Sequence, residues 1–165
     1  MAENLFDLID NLKSAAKEKF LQDKEHLSIF FLETSKGIGL MPCFFSNNKD
    51  KEMYLNLVKK MIEDGELTSF VFICEAWTKS VDSFSDIREE YKKHGSIKFS
   101  PNKEEVLMFQ FQSFDKNIFM LSKINRDGDN VSLGEWKEID CHNNKNGLSM
   151  GRFDNLFERA KAAGN

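Results

Sequence analysis

After Ser69 the chain reads Phe-Val-Phe-Ile-Cys-Glu-Ala-Trp, a run that stays apolar to Trp77 except at Glu75. A short run rich in aromatic and β-branched residues predicts a strand. Its lack of polar alternation predicts a central strand, covered on both faces. The chain must therefore set apolar material both above and below Ser69–Trp77. It has that material, since 16 of the 165 residues are Phe and 41% are hydrophobic. Rings of this size belong mostly in a core, so any Phe left at the surface is a candidate contact point. A chain of 165 residues has the ordinary size of one domain and needs no disulfide or metal to supplement its core.

The flanking segments supply layers for that strand. Leu5, Leu8, Ile9, Leu12, Ala16 and Phe20 recur at steps of three and four, which predicts a core-facing helix over about residues 3–22. Acids and bases mix on its polar face, unlike a membrane-surface helix. Leu27 to Glu33 and Ile38 to Phe45 read as a hairpin about the turn Thr34-Ser35-Lys36-Gly37. Pro42 has no N–H for a ladder, so its strand is expected at an edge or at a bulge. Ser46-Asn47-Asn48 offers a cap for a second helix carrying Tyr54, Leu57, Val58, Met61 and Ile62, which should end near Gly65. Downstream, Glu104 to Phe114, Asn117 to Ile124 and Val131 to Ile139 read as strands. Arg126-Asp127-Gly128-Asp129-Asn130 reads as a turn, and Phe153, Leu156, Phe157 and Ala160 share one face of a last helix. Residues 79–100 are polar and read as a mobile excursion from the sheet. Cys141 to Gly147 reads as an Asn-rich loop.

Strands run together without regular βα alternation, which predicts an α+β fold. The expectation is a mostly antiparallel sheet of about five to six strands packed with an N-terminal, a central and a C-terminal helix. No internal repeat and no Pro/Gly/Ser linker divides the chain, so residues 1–165 are expected to form a single domain.

The totals exclude several classes. A net charge of −4 does not supply the basic surface of a general nucleic-acid or anionic-membrane binder. Cys43, Cys74 and Cys141 make an odd, irregularly spaced set, which argues against a disulfide framework and for the reducing cytoplasm. The N-terminal residues lack the basic and apolar regions of a signal peptide, and no stretch approaches a membrane span of about 20 apolar residues.

Glu75 is the conspicuous polar intrusion. A carboxylate in an apolar strand must be paired, protonated or at the sheet's rim. It is read as a site acid at the C-terminal end of the central strand, as a structural ion pair with Arg126 or Arg152, or as simply exposed where the strand ends. Glu104 and Glu105 are adjacent in a strand and point to opposite faces, so at most one of them can join Glu75. Such a carboxylate pair suits acid–base chemistry or a divalent metal held by oxygen ligands. Asp127-Gly128-Asp129-Asn130 resembles the start of a calcium loop, but Val131 and Ser132 depart from that pattern, and a hairpin turn fits better. His26, His94 and Cys141-His142 form no spaced zinc motif. No nucleophile elbow and no phosphate loop is present in the sequence. Arg152 opens the last helix against the helix dipole, which suits a residue reaching for a carboxylate or an anion.

Three segments together carry a resemblance. Phe72-Ile73-Cys74-Glu75-Ala76-Trp77, Ser100-Pro101-Asn102-Lys103-Glu104-Glu105-Val106-Leu107 and Gly151-Arg152-Phe153 resemble small uncharacterised proteins of bacterial and phage genomes. In those proteins a strand ending in Glu-Ala-Trp precedes a proline-led Arg-Glu-Glu strand and a late Gly-Arg-Phe. This chain has Asn102-Lys103 where that pattern has an arginine, and a longer stretch between Trp77 and Pro101. The resemblance implies a constellation of Glu75, Trp77, Glu104 or Glu105, and Arg152, and brings no activity with it.

The functional expectation is a non-enzymatic binding or regulatory protein, phage- or mobile-element-derived, acting through contacts with another protein. No cofactor and no metal is expected. Its binding residues would be Glu75, Trp77, Arg126 and Arg152. The alternatives are a small carboxylate-dependent hydrolase using Glu75 with Glu104 or Glu105, and a ligand-binding module with Trp77 as stacking platform and Arg152 as anion clamp.

Overall fold

Side-chain alternation along the central strand decides the layering. The computed structural model describes residues 3–78, 92–93, 103–140, 153 and 156–163. The sequence runs α1 (Ile9–Asp23), β1 (Ile29–Thr34), β2 (Gly37–Pro42), α2 (Asn48–Glu63), β3 (Leu67–Thr78), β4 (Glu104–Ser113), β5 (Asn117–Asp127), β6 (Asn130–Leu133), β7 (Lys137–Asp140) and α3 (Leu156–Ala163). On β3, Phe70, Phe72 and Cys74 point to one side and join a core with Leu55, Val58 and Ile62 of α2 and Leu156, Phe157 and Ala160 of α3. Val71 and Ile73 point to the other side and meet Ile9, Ala16 and Phe20 of α1. A strand apolar on both faces thus acquires helices on both faces. Each fully buried Phe in these layers contributes on the order of 2 kcal/mol relative to exposure.

Among the described residues the fold is α+β, with an antiparallel sheet of seven strands packed with an N-terminal, a central and a C-terminal helix. The strand order is β2-β1-β3-β4-β5-β6, with β7 also paired to β5. Pro42 lies on an edge strand, as its missing donor predicts. Cys43 N–H donates to Ser28 O at 2.8 Å, so in the antiparallel alternation the Pro42 nitrogen faces away from β1.

Local chemistry sets the helix limits. Asn47 accepts from Asp50 N–H at 3.0 Å, and the Asp50 carboxylate accepts from Ser46 N–H at 2.8 Å, a reciprocal cap for α2. Gly65, at φ +74°, ends that helix, with Glu66 N–H reaching back to Met61 O at 3.0 Å. Helix α1 begins later than its periodicity predicts. Asn4 to Ile9 form tight turns instead, with Asp7, Leu8 and Ile9 N–H donating to carbonyls three residues back. These turns still bury Leu5.

Among the described residues the sheet has seven strands where about five to six were expected, and the extra one comes from a bulge. Residues 131–139, read as one strand, are β6 and β7, both laid along the outer side of β5. Ile124 pairs with Leu133 and Leu121 with Lys137, so Ser122 and Lys123 face the three residues Gly134, Glu135 and Trp136. Strand β5 also runs past its expected end at Ile124, placing Arg126 in the strand. The turn narrows to Gly128-Asp129, joining Asp127 to Asn130. This is the hairpin expected in place of a calcium loop.

Helix α3 is seated on two buried amides. Gln112 Nε2 donates to Phe153 O at 2.5 Å, Gln112 Oε1 accepts from Leu156 N–H at 2.9 Å, and Gln110 Nε2 donates to Phe153 O at 3.4 Å. The Phe153 ring packs on Phe30 and Phe72, with centroids 5.2 and 4.9 Å away. Among the described residues, no helix is long and apolar enough to cross a membrane.

Candidate functional site

Glu75 sits on the α1 side of β3, in step with Val71 and Ile73, where the last turn of α1 has passed and its cover ends. Lys24, at the C-cap of α1, takes a left-handed φ of 60°, which turns the chain toward β1. His26 N–H then donates to Glu75 Oε1 at 2.9 Å. Arg126 arrives from the far end of β5. Its Nη2 lies 3.9 Å from Glu75 Oε1, and its Nη1 donates to Lys24 O at 3.2 Å. The guanidinium stands 5.7 Å over the ring of Phe20.

Of the two adjacent glutamates, Glu105 joins this group. Arg126 Nε and Nη2 donate to its two carboxylate oxygens at 2.9 and 2.8 Å, a bidentate pair. Glu104, on the opposite face, pairs instead with Lys123 at 3.3 Å. Register explains the choice, because Trp77 stands directly across from Glu105 and Thr78 across from Glu104. Trp77 is 39% exposed, and Lys103 Nζ lies 4.6 Å above its ring. Arg152, His94, Cys141 and His142 lie outside the described residues, as does most of the 79–100 segment.

The electrostatics of the group follow from this geometry. Partial burial pushes the Glu75 carboxyl above its ordinary range, and the His26 N–H and Arg126 pull it back down. The bond to Glu105 holds Arg126 firmly charged. Burial lowers the His26 imidazole. Both Glu75 and Glu105 reach the same guanidinium nitrogen, so their carboxyl groups lie inside the roughly 10 Å span of two-carboxylate mechanisms. Glu105, however, has both oxygens engaged by Arg126, which leaves Glu75 as the carboxylate with spare capacity. Glu75 and Arg126 together fasten the α1–β1 connection to the ends of β3 and β5.

Other chemistry is sparse. Among the described residues, no three His, Cys, Asp or Glu side chains stand close enough to hold a metal ion. Cys43 and Cys74 are buried free thiols, both pushed up to about 12 by desolvation, so they are neutral and unreactive. A cleft of about 290 Å³, lined by Phe6, Glu33, Ser69, Phe111 and Lys116 among others, lies at the other end of β3 from Glu75.

The open edge of the sheet was not anticipated as a site. On the α1 face, the core around α1 takes in β3 to β5 and reaches the half-buried Ile29 and Phe31 of β1, but includes no described residue of β2. Ile38, Leu40 and Pro42 share that uncovered face by alternation, and Phe44 continues their step. Leu40 is 63% exposed, Phe44 66%, Leu27 50% and Ile38 38%. From Gly37 to Ser46 there is no charged residue. That charge-free alternation beside a proline was the available signal.

A family model described as bacteriophage lambda protein ea47 matches residues 1–150. No curated protein and no solved structure matches the chain.

Proposed function

The chain belongs to the family of bacteriophage lambda protein ea47, and we propose that it is a non-enzymatic binding or regulatory protein acting through protein contacts at the β2 edge. The observation that carries the proposal is the apolar strip of Ile38, Leu40, Phe44 and Leu27, exposed on a strand that has one side unpaired among the described residues. Sheet edges are ordinarily guarded by charge, bulge or cover, and this one carries only Pro42. Contiguous exposed apolar surface on a soluble chain marks an interaction site. The test is a photo-reactive residue at Leu40, compared with one at exposed Glu18 on α1. Protein adducts formed from position 40 and not from position 18 in bacterial cells are the expected result. Equal or absent labelling at both would overturn the proposal.

A second reading places an acid or ligand site at Glu75. Its support is the raised Glu75 carboxyl beside the partly exposed Trp77 ring. It ranks lower because Arg126 occupies both oxygens of Glu105 and ties the group to the α1–β1 connection. An unchanged ligand profile in Trp77→Ala would count against it.

A further inference from the structure

The open edge has a hydrogen-bonding pattern as well as an apolar face. Antiparallel alternation turns the N–H and C=O of Ile38 and Leu40 away from β1, while Gly37, Gly39 and Met41 bond toward it. These outward groups form a short ladder, bounded on one side by the turn before Gly37 and on the other by Pro42. We propose that the occupant of this edge is a second copy of the chain, paired antiparallel through β2 about a two-fold axis at Gly39. The inference rests on the reading of β2 as the contact surface and names its partner.

In that arrangement Ile38 N–H and C=O meet the C=O and N–H of Leu40 in the other copy, and the reverse. Every outward donor between the turn and Pro42 is satisfied. Gly39 faces its own counterpart, and a Cβ added there meets nothing within 4 Å in the single copy, so the approach is unobstructed. Pro42, which has no N–H to give, falls where the ladder ends on each side. The absence of charge between Gly37 and Ser46 matters most for a self-pairing strand, because the two-fold axis would set any charge there close to its own copy. An isologous contact of this kind closes after two copies.

The available area sets the strength. The exposed parts of Ile38, Leu40, Phe44 and Leu27 amount to on the order of 400 Å² per copy. Ile38 and Leu40 flank the axis, while Phe44 and Leu27 lie beyond the ends of the ladder, so two copies bury less than the roughly 800 Å² that these strips total, below the about 1,200 Å² of specific interfaces. The expected dimer is weak and reversible, forming in the high-micromolar range.

Sedimentation velocity on the full chain from about 5 µM to about 1 mM tests this, since the range brackets a high-micromolar constant. The wild type should move from monomer to dimer across it. Leu40→Lys, which sets like charges close to the axis, should weaken association at least about 10-fold. Ile38→Pro removes one outward N–H without charge and should weaken it as well. Glu18→Lys on α1 should behave as wild type, and the circular-dichroism spectra of all variants should match. A wild type that stays monomeric at the top concentration would overturn the second copy as occupant, as would Leu40→Lys and Glu18→Lys dimerising alike. A monomeric chain that still gives position-40 adducts to another protein would overturn the dimer and leave the contact surface intact. Loss of both would remove both.

Discussion

At the β6–β7 edge the outermost strand is broken by Gly134-Glu135-Trp136, and the break is pinned from three directions. Lys17 Nζ and Ser122 Oγ donate to Gly134 O at 2.8 and 2.7 Å, Gly134 N–H donates to Lys123 O at 2.8 Å, and Trp136 sits edge-on to Phe109 at 6.2 Å. At the β2 edge the strand is straight, uncharged and apolar on its uncovered face. A bulge twists one edge away from any partner and absorbs its backbone groups internally, while the other edge keeps its groups aimed outward. The same sheet thus spends one edge on its own stability and leaves the other for association.

The sharpest break of this comparison is Trp136→Ala. It removes the ring that packs the bulge against Phe109 and lies 5.2 Å from Lys17 Nζ. A loss of about 3 kcal/mol is expected in urea unfolding, since a large aromatic is truncated beside the core. Arg126→Met comes next. It strands Glu105 and Glu75 without their cation and releases Lys24 O, with an expected loss of about 1–2 kcal/mol in the same measurement. Leu40→Lys at the open edge should change stability by no more than about 0.5 kcal/mol, because the side chain is already largely in water. If Leu40→Lys destabilised the monomer as much as Trp136→Ala, the contrast between the edges would fail.

The subtlest prediction is a pH dependence at the Glu75 group. Burial raises the folded carboxyl above its unfolded value, so the protonated form is favoured in the folded state. The resulting stabilisation is full below the unfolded pKa and is lost as pH rises through the folded one. Glu75→Gln keeps an acceptor for His26 N–H and removes the titration. Thermal melts should therefore show the variant gaining on the wild type as pH rises from about 4 to 7, the range above the ordinary glutamate value. A constant difference across that range would show that Glu75 is not desolvated as described.

Much of this architecture was legible in the sequence for identifiable reasons. The Phe70–Ile73 run has no polar face, so it had to be central. Pro42 lacks a donor, so it had to be near an edge. Gly65 and Asn47 cap a helix whose apolar spacing is regular. The bulge was not legible, because Val131 to Ile139 has a strand's composition throughout, and only β5 shows that three residues face two. Arg126 was read as part of a turn because nothing local announces that β5 continues past Ile124. The choice of Glu105 over Glu104 depends on register against Trp77, which is a long-range property. The exposure of Ile38 and Leu40 depends on where α1 stops across the sheet, and an alternating strand looks the same whether its face is covered or bare.

Gln110 and Gln112 have a consequence for the order in which the chain is made. Strand β4 leaves the ribosome before Phe153 and α3, so the face they cover must wait uncovered during synthesis. An all-aliphatic face would be a sticky surface in that interval. Two amides placed amid Phe70, Phe72 and Phe119 keep it wetted, because water can hold the donors and acceptor that Phe153 and Leu156 later take. The same groups then act as a register mark, admitting the last helix only when its carbonyl and N–H line up. Gln112→Leu should leave the finished fold standing but slow its productive completion in the cell, seen as a lower soluble yield.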